Sequence, residues 1–335
     1  MPHTSLMQER TEQRPGRNYR LVDRLNGPHR LDGPAERATL LQGLFSDPAA
    51  IAPKYLYDAM GCALFNAICL LPEYYPPRAE RAIFVEHRDS IVDAVGRGGQ
   101  FVDLGAGDCA KAAYWFSALR PRRYIAVDIA TAAVEPALAR LATEFPHIEF
   151  SGVITDFSRS LQLAQDLDDD RVTFFYPGSS IGNFSPNDAV ELLATIHKLC
   201  ARGGGLLIGV DLEKDPARLH AAYDDALGVT AAFNRNILNH VNALIGSDFD
   251  PAAFTHVARY DIQKHRIEMH LESSLVQHVH IGNRTREFEK GERIHTENSY
   301  KYSPASFEAL LRRAGFSQIR LWQDALRGFA VFYAA

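Results

Sequence analysis

The chain has few cysteines, no long apolar run and no excess of basic residues. Its four cysteines among 335 residues form no C-x-x-C pair, which argues against a disulfide framework and favours reduced, structural thiols. No run of about 18 apolar residues occurs, so we expect no transmembrane helix. The formal net charge of −5 provides no general field for a polyphosphate, so neither nucleic acid nor a membrane is an expected partner.

The first 35 residues also lack any apolar run and are rich in Arg, Gln, Pro and His. This composition is not that of a signal peptide, and the interspersed acidic residues argue against a transit peptide. We therefore expect residues 1–35 to form a mobile or loosely docked arm, and the protein to be cytoplasmic. The sequence leaves the oligomeric state open, with a monomer as the default.

From residue 100 onward, short apolar runs alternate with stretches that carry apolar residues at helical spacing. The runs predict five strands, over 101–104, 123–127, 148–154, 172–176 and 206–212. This alternation favours an α/β fold with a doubly wound, mostly parallel sheet. A helix is predicted from Arg78 to about Val95, ahead of the first of these strands. A last helix beginning at Ser303 precedes two closing strands, which a turn at Gly328 separates.

After Leu212 the pattern changes. Two consecutive helices are predicted over 215–227 and 229–245, and residues 255–281 alternate as antiparallel strands with one solvated face do. Four histidines alternate along this segment, without the accompanying carboxylates or cysteines of a metal site: His265, His270, His278 and His280. We expect a second layer here, and no bound metal.

A glycine loop follows the first predicted strand. Gly105 and Gly107 allow close approach of the backbone to a ligand, and Ala110 completes a spacing that is also compatible with NAD. Asp128, 21 residues after Gly107, is placed to accept both hydrogen bonds of a ribose diol, or else to cap the next helix. Asp156 and Phe157 follow the third strand, where a carboxylate can accept from an adenine amino group and a ring can stack on the purine.

Two further features favour S-adenosylmethionine over NAD. The closing helix and strand pair resembles the reversed last hairpin of class I (Rossmann-like) methyltransferases, and the acidic Asp103 resembles part of their first motif. No set of residues for hydride transfer is evident. The Asp-Pro-Pro-Tyr motif of many nucleic-acid base methyltransferases is replaced by Tyr176-Pro177-Gly178-Ser179.

Six motifs in order resemble those of the histidine-specific methyltransferases of ergothioneine biosynthesis, the L-histidine N-alpha-methyltransferase family. The resemblance runs from about residue 40 to the C-terminus and rests on Tyr57 to Gly61, Leu71 to Glu80, Asp103 to Lys111, Tyr176 to Asn183, Gly228 to Asn234 and Glu297 to Tyr302. It implies S-adenosylmethionine as methyl donor and trimethylation of the α-amino group of L-histidine.

The resemblance also implies roles for individual residues. S-adenosylmethionine would be held by Gly105, Lys111, Asp128, Asp156 and Phe157. Histidine would be held by Tyr74, Asn183, Tyr223, Met269, Glu297 and Ser299, with Tyr57 near the substrate amine as the candidate catalytic residue. The substrate-binding domain would be an inserted α+β unit of 36–77 and 213–300, and the methyltransferase core would comprise 78–212 and 301–335.

These residue types suit the chemistry of free histidine. Asn183 and Tyr223 are neutral donors for a carboxylate, while Glu297 can accept an imidazole N–H and Ser299 can serve the other ring nitrogen. Two alternatives remain open: a methyltransferase for another aromatic amino acid or amine, and a partner protein that binds S-adenosylmethionine without catalysis.

Overall fold

The computed structural model describes residues 18–25, 33–200 and 203–335. Its strands are β1 (Tyr19–Asp23), β2 (Ala49–Ala50), β3 (Gln100–Leu104), β4 (Arg123–Asp128), β5 (Glu149–Ile154), β6 (Val172–Tyr176), β7 (Gly205–Asp211), β8 (Phe254–Asp261), β9 (Arg266–Ser273), β10 (Gln277–Ile281), β11 (Arg284–Phe288), β12 (Arg293–Tyr300), β13 (Ile319–Gln323) and β14 (Phe329–Ala334).

The helices are α1 (Pro34–Leu44), α2 (Ala59–Ile68), α3 (Pro76–Glu86), α4 (Arg88–Val95), α5 (Ala110–Leu119), α6 (Thr131–Glu144), α7 (Pro186–Leu199), α8 (Pro216–Tyr223), α9 (Val229–Ile245) and α10 (Pro304–Arg313). Short 3₁₀ turns lie at Pro53–Leu56, Ser180–Asn183 and Pro251–Ala253. Among these helices none is long and apolar enough to cross a membrane.

One twisted sheet forms the larger layer, in the order β1-β5-β4-β3-β6-β7-β14-β13. All its neighbours pair in parallel except at β14, which runs antiparallel to both β7 and β13. The predicted α/β fold with its reversed closing hairpin is therefore confirmed. The strand order reverses between β3 and β6, and ligands of such sheets bind at the carboxyl ends of the strands beside this point.

Two predictions of local structure are wrong. Residues 19–23 are not part of a loose arm, because β1 pairs in parallel with β5 at the sheet edge, with Tyr19 opposite Phe150. The rest of the predicted arm, up to residue 32, lies outside the described residues except for 18, 24 and 25. The single helix predicted from Arg78 to Val95 is two helices, since His87 leaves the helical conformation at φ −109°.

The second layer is a four-stranded sheet, β2-β12-β9-β8, covered by α8 and α9, with α2 packed on α9. Its apolar side chains come from both segments assigned to the substrate-binding domain, including Leu44 and Leu56 from the first and Ile237, Leu271 and Ile294 from the second. The two segments thus share one hydrophobic core although about 135 residues separate them in sequence. The domain boundaries themselves remain our proposal.

Candidate active site

A cavity lies where the second layer meets the carboxyl ends of β6 and β7. Its empty volume, open mouth included, is about 590 Å³. Every residue predicted to contact the substrate lines it: Tyr57, Tyr74, Asn183, Tyr223, Met269, Glu297 and Ser299. Residues far apart in sequence therefore meet in one place, as a substrate site requires.

Strand β12 supplies the two polar side chains at the cavity floor. Glu297 and Ser299 are two residues apart, so they project from the same face of the strand. A register shift between His295 and Glu297 interrupts pairing with β9, and Glu297 then lies opposite Met269. Such a bulge redirects the side chains that follow it.

Glu297 is a buried carboxylate without a counter-ion. It is 8% exposed, and among the described residues no lysine, arginine or histidine lies within ion-pair distance of it. Burial raises the pKa of Glu297 to about 7, although Lys301 and Asn183 act in the opposite direction. A buried carboxylate in this state needs a donor, and a ligand N–H entering the cavity would supply one.

Asn183 connects the turn after β6 to this carboxylate. With its amide nitrogen turned towards β12, Asn183 donates to Glu297 Oε1 at 3.1 Å and to the Asn298 carbonyl at 3.1 Å. Both amide hydrogens are then engaged, so donation to a substrate carboxylate would require Asn183 to release one of them.

Gly182 makes this contact possible. A Cβ atom there would lie 2.8 Å from the carbonyl oxygen of Tyr300, so the turn and β12 approach more closely than any other residue permits. We expect Gly182→Ala to separate them and to cost about 1–3 kcal/mol of unfolding free energy, as overpacking does. Thermal unfolding measures this loss of stability, with Asn187→Ala at an exposed position as the control. Equal melting temperatures for Gly182→Ala and Asn187→Ala would refute the close approach.

Ser299 and Tyr223 form a pair of hydroxyls on the cavity wall. Their oxygens are 2.7 Å apart, and the Nζ atom of Lys301 lies 2.7 Å from Ser299 Oγ and 2.9 Å from the Tyr223 hydroxyl. Lys301 is itself 2.9 Å from Asp211 Oδ2. The hydroxyls are thus held from behind by a buried ion pair.

Asp211, at the end of β7, is the centre of that buried network. Its oxygens accept from the Tyr75 hydroxyl at 2.8 Å and from Lys214 at 2.5 Å, in addition to Lys301. Burial alone would raise the pKa of Asp211, but Lys301 and Lys214 hold it below its ordinary value. Sequence reasoning missed Asp211, Lys214 and Lys301, because no local pattern shows that the three meet.

Aromatic rings enclose the opposite side of the cavity. Tyr57 and Phe65 meet edge to face with centroids 5.8 Å apart, and Phe233 lies 5.7 Å from Tyr57. Tyr74 continues the wall at 6.2 Å from Phe65 and 6.1 Å from Tyr223. Ring faces of this kind stabilise a substituted ammonium group. Phe233 was not predicted as a site residue and is recognisable in sequence only as an apolar position of α9.

The glycine loop lies at the carboxyl end of β3. Gly105 and Gly107 have φ of +71° and +53°, and a Cβ atom at either would meet nothing within 4 Å. Asp128 holds the loop, since its carboxylate accepts from the Gly107 amide and the Ala130 amide, each at 2.8 Å. Each oxygen keeps a further lone pair, so the loop, the space beside it and Asp128 fit a nucleoside with a ribose diol.

The other predicted cofactor residues have protein partners. Lys111 Nζ lies 2.7 Å from the buried Glu80, whose other oxygen accepts from the Gly178 amide at 2.8 Å. Asp156 accepts from Lys54 at 2.9 Å, which links the first segment of the second layer to the nucleoside end. Phe157 packs edge to face on Tyr176, with centroids 5.8 Å apart. Glu80 ends the motif Leu71 to Glu80, but its pairing with Lys111 was not predicted.

Residues 36–335 match the model of a family described as histidine-specific, S-adenosylmethionine-dependent methyltransferases. The chain belongs to this family. It is therefore an S-adenosylmethionine-dependent methyltransferase, and the predicted methyl donor is confirmed. The family model covers the second layer, the cavity and all of the larger layer except β1, which lies in the first 35 residues.

Curated relatives agree with this membership of the histidine-specific methyltransferases. The chain is 39% identical to histidine N-alpha-methyltransferase of Mycolicibacterium smegmatis, over 90% of this chain and 94% of the relative. It is 37% identical to the Mycobacterium tuberculosis protein of the same name, over 90% and 95%. Ergothioneine biosynthesis protein 1 of Neurospora crassa is 29% identical over 87% of this chain, which spans 32% of that longer protein.

Proposed function

We propose that the enzyme transfers three methyl groups to the α-amino group of L-histidine, giving N,N,N-trimethylhistidine as a step towards ergothioneine. The observation that carries the proposal is the cavity floor, where a buried carboxylate that has no counter-ion in the described part of the chain lies beside a hydroxyl pair. An imidazole ring offers an N–H to Glu297 and a ring nitrogen to Ser299. The curated names of the two mycobacterial relatives support the same substrate.

In this proposal the rest of the cavity orients the amino acid. Met269 lines the imidazole site, opposite Glu297 in the register of β9 and β12. Asn183 binds the substrate carboxylate, for which it first gives up its hydrogen bond to Glu297 or to the Asn298 carbonyl, and Tyr223 lies beside Ser299. Tyr74 and Tyr57 border the amine. A site with donors and acceptors matched to imidazole discriminates against rings that lack these groups, because its own buried groups would be left unpaired.

Tyr57 would act by accepting a hydrogen bond, and not as a strong base. Burial, with smaller contributions from Glu297 and Tyr223, raises the pKa of Tyr57 well above its ordinary value, so it stays a phenol at neutral pH. An α-amino group with an ordinary pKa of about 7.7–8.0 already supplies some neutral amine. The aromatic wall then accommodates the amine as it gains methyl groups and a permanent charge.

The cofactor end would be formed by Gly105, Lys111, Asp128, Asp156 and Phe157. Bound S-adenosylmethionine supplies an electrophilic methyl group on sulfur. The role of the chain is to hold that group in line with the amine and to exclude water, which accounts for much of the acceleration in a displacement of this kind. Lys111 already contacts Glu80, so it binds the methionine carboxylate only if its ammonium group donates to both carboxylates.

Mass spectrometry of the product tests the proposal. Purified enzyme with histidine and excess S-adenosylmethionine is expected to yield trimethylhistidine, with the monomethyl and dimethyl forms as intermediates. A panel of amino acids and amines with labelled cofactor provides the control. Tryptophan outcompeting histidine would reject the substrate, and monomethylhistidine as the final product would reject the trimethylation. Cofactor binding without turnover would favour a non-catalytic role.

A further inference from the structure

Lys301 is a buried cation behind the hydroxyl pair, and the function proposed above assigns it no role. Its side chain is 0% exposed and it does not line the cavity. Its Nζ atom has three neighbours at hydrogen-bond distance: Asp211 Oδ2, the Tyr223 hydroxyl and Ser299 Oγ. Burial alone would lower the pKa of Lys301, but Asp211 and Tyr223 hold it above its ordinary value, so the ammonium form is present.

The number of available hydrogens determines what the hydroxyl pair can offer. An ammonium group donates three hydrogen bonds and cannot accept one, and each of the three hydrogens of Lys301 has an acceptor here. The oxygens of Ser299 and Tyr223 therefore both accept from Lys301. Because these two oxygens are 2.7 Å apart, one hydroxyl hydrogen must lie between them. Only one hydroxyl hydrogen is then left to point into the cavity. The proposed contact between Ser299 and a bare imidazole nitrogen requires this hydrogen to be that of Ser299, so Tyr223 donates to Ser299 and the substrate carboxylate is left to Asn183.

We infer that Lys301 is a positioning residue that fixes the hydroxyl pair as a hydrogen-bond donor, so that the site selects neutral imidazole with its bare nitrogen towards Ser299 and its N–H towards Glu297. The inference rests on the proposed function and adds the protonation state of the substrate ring. Imidazolium has an N–H on both sides and would place one of them against the hydrogen of Ser299. A ring with carbon at this position would leave that donor unpaired.

The arrangement around Asp211 argues that Lys301 does more than balance charge. Asp211 already accepts from Lys214 at 2.5 Å and from Tyr75 at 2.8 Å. Lys214 does not touch the hydroxyl pair and does not line the cavity. The two lysines share one carboxylate, but of the two only Lys301 also contacts the hydroxyls of Ser299 and Tyr223. This difference supplies a matched pair of variants.

NMR of histidine labelled with ¹⁵N in the ring measures the predicted state directly. In complex with the wild-type enzyme and S-adenosylhomocysteine, we expect one protonated and one unprotonated ring nitrogen at neutral pH. Lys301→Met removes all three donor hydrogens, so the fixed pattern of one protonated and one unprotonated ring nitrogen should be lost. Histidine should also bind about tenfold more weakly, as expected for one lost hydrogen bond. Lys214→Met should keep the wild-type pattern.

The outcomes separate this inference from the proposed function. If histidine does not bind to the wild-type enzyme, the proposed function fails. If histidine binds with both ring nitrogens protonated, or if Lys301→Met keeps the wild-type pattern and affinity, only the inference fails. Should Lys301→Met not fold, the Asp211→Asn/Lys301→Met double variant removes the unpaired carboxylate as well. Ser299→Ala, with Lys301 intact, should likewise remove the fixed pattern of one protonated and one unprotonated ring nitrogen.

Discussion

Asp211→Ala is expected to lower the free energy of unfolding by about 3–5 kcal/mol, the usual cost of leaving a buried partner charge uncompensated. Asp211 is 1% exposed and faces two ammonium groups and a phenol. Among the described residues, its removal leaves Lys301 with no carboxylate in contact.

The two lysines should respond differently to this change. Burial, together with the neighbouring Lys301, lowers the pKa of Lys214 to about 8 even with Asp211 present, so Lys214 can lose its proton when the carboxylate is removed. Lys301 is wholly enclosed and depends on Asp211 for its charge. We therefore expect Asp211→Asn/Lys301→Met to recover part of the stability lost in Asp211→Asn alone.

Urea denaturation followed by circular dichroism measures both effects. Glu308→Ala is the control, since Glu308 forms an exposed ion pair with Arg312 at 2.7 Å, and such pairs contribute about 0–1 kcal/mol. If Asp211→Ala lost no more stability than Glu308→Ala, the buried network would be structurally neutral, contrary to this expectation.

The sequence was sufficient for the elements that repeat locally. Strand and helix alternation predicted the parallel sheet, and the family resemblance predicted seven side chains that line one cavity, five of them within the ordered motifs. It was insufficient for β1, because Tyr19–Asp23 is short and follows residues of no clear pattern. It gave no indication of the break at His87 either, since both helices carry one continuous apolar spacing.

The buried charges could not be predicted for a different reason. Asp211 and Lys301 are 90 residues apart, and they come within 2.9 Å where the segments just after β7 and β12 meet, at the bridge between Leu212 and Tyr302. Lys111 and Glu80 pose the same problem, since their motifs indicate a site but not that the two side chains pair. Pairing across elements depends on tertiary geometry, which spacing within one motif does not contain.

Glu297→Ala is expected to weaken histidine binding by about 1.5–3 kcal/mol, the range for a hydrogen bond to a charged group, or roughly 10- to 150-fold in Kd. Among the described residues no cation contacts this buried carboxylate, and Asn183 is a neutral donor, so the ligand N–H would be a major further source of stabilisation. Calorimetric titration with histidine in the presence of S-adenosylhomocysteine measures the loss. Glu268→Ala is the control, since Glu268 is a buried carboxylate of the same layer that is paired with Arg266 and lies outside the cavity lining.

The pH dependence of Glu297→Gln provides a second, independent measurement. The pKa of Glu297 is about 7 when folded, against an ordinary value of 4.5, so the group favours folding below about pH 4.5 and this contribution is lost as pH rises through 7. Burial also raises the pKa of Asp103 to about 7, so the contribution of Asp103 to stability changes with pH in the same direction. Only the difference in unfolding free energy between wild type and Glu297→Gln isolates the contribution of Glu297. That difference should be pH-dependent between about 4.5 and 7.

Histidine should oppose this loss, because its ring N–H binds the ionised carboxylate. The stabilisation that histidine gives to the wild-type protein is therefore expected to increase as Glu297 ionises, and to vary less with pH in Glu297→Gln. Thermal unfolding with and without histidine at several pH values measures this stabilisation in the wild-type protein and in Glu297→Gln. The ring of free histidine, with an ordinary pKa of about 6.5, loses its proton in the same window, which affects both proteins equally. An identical pH dependence of histidine stabilisation in the two proteins would show that the imidazole lies elsewhere.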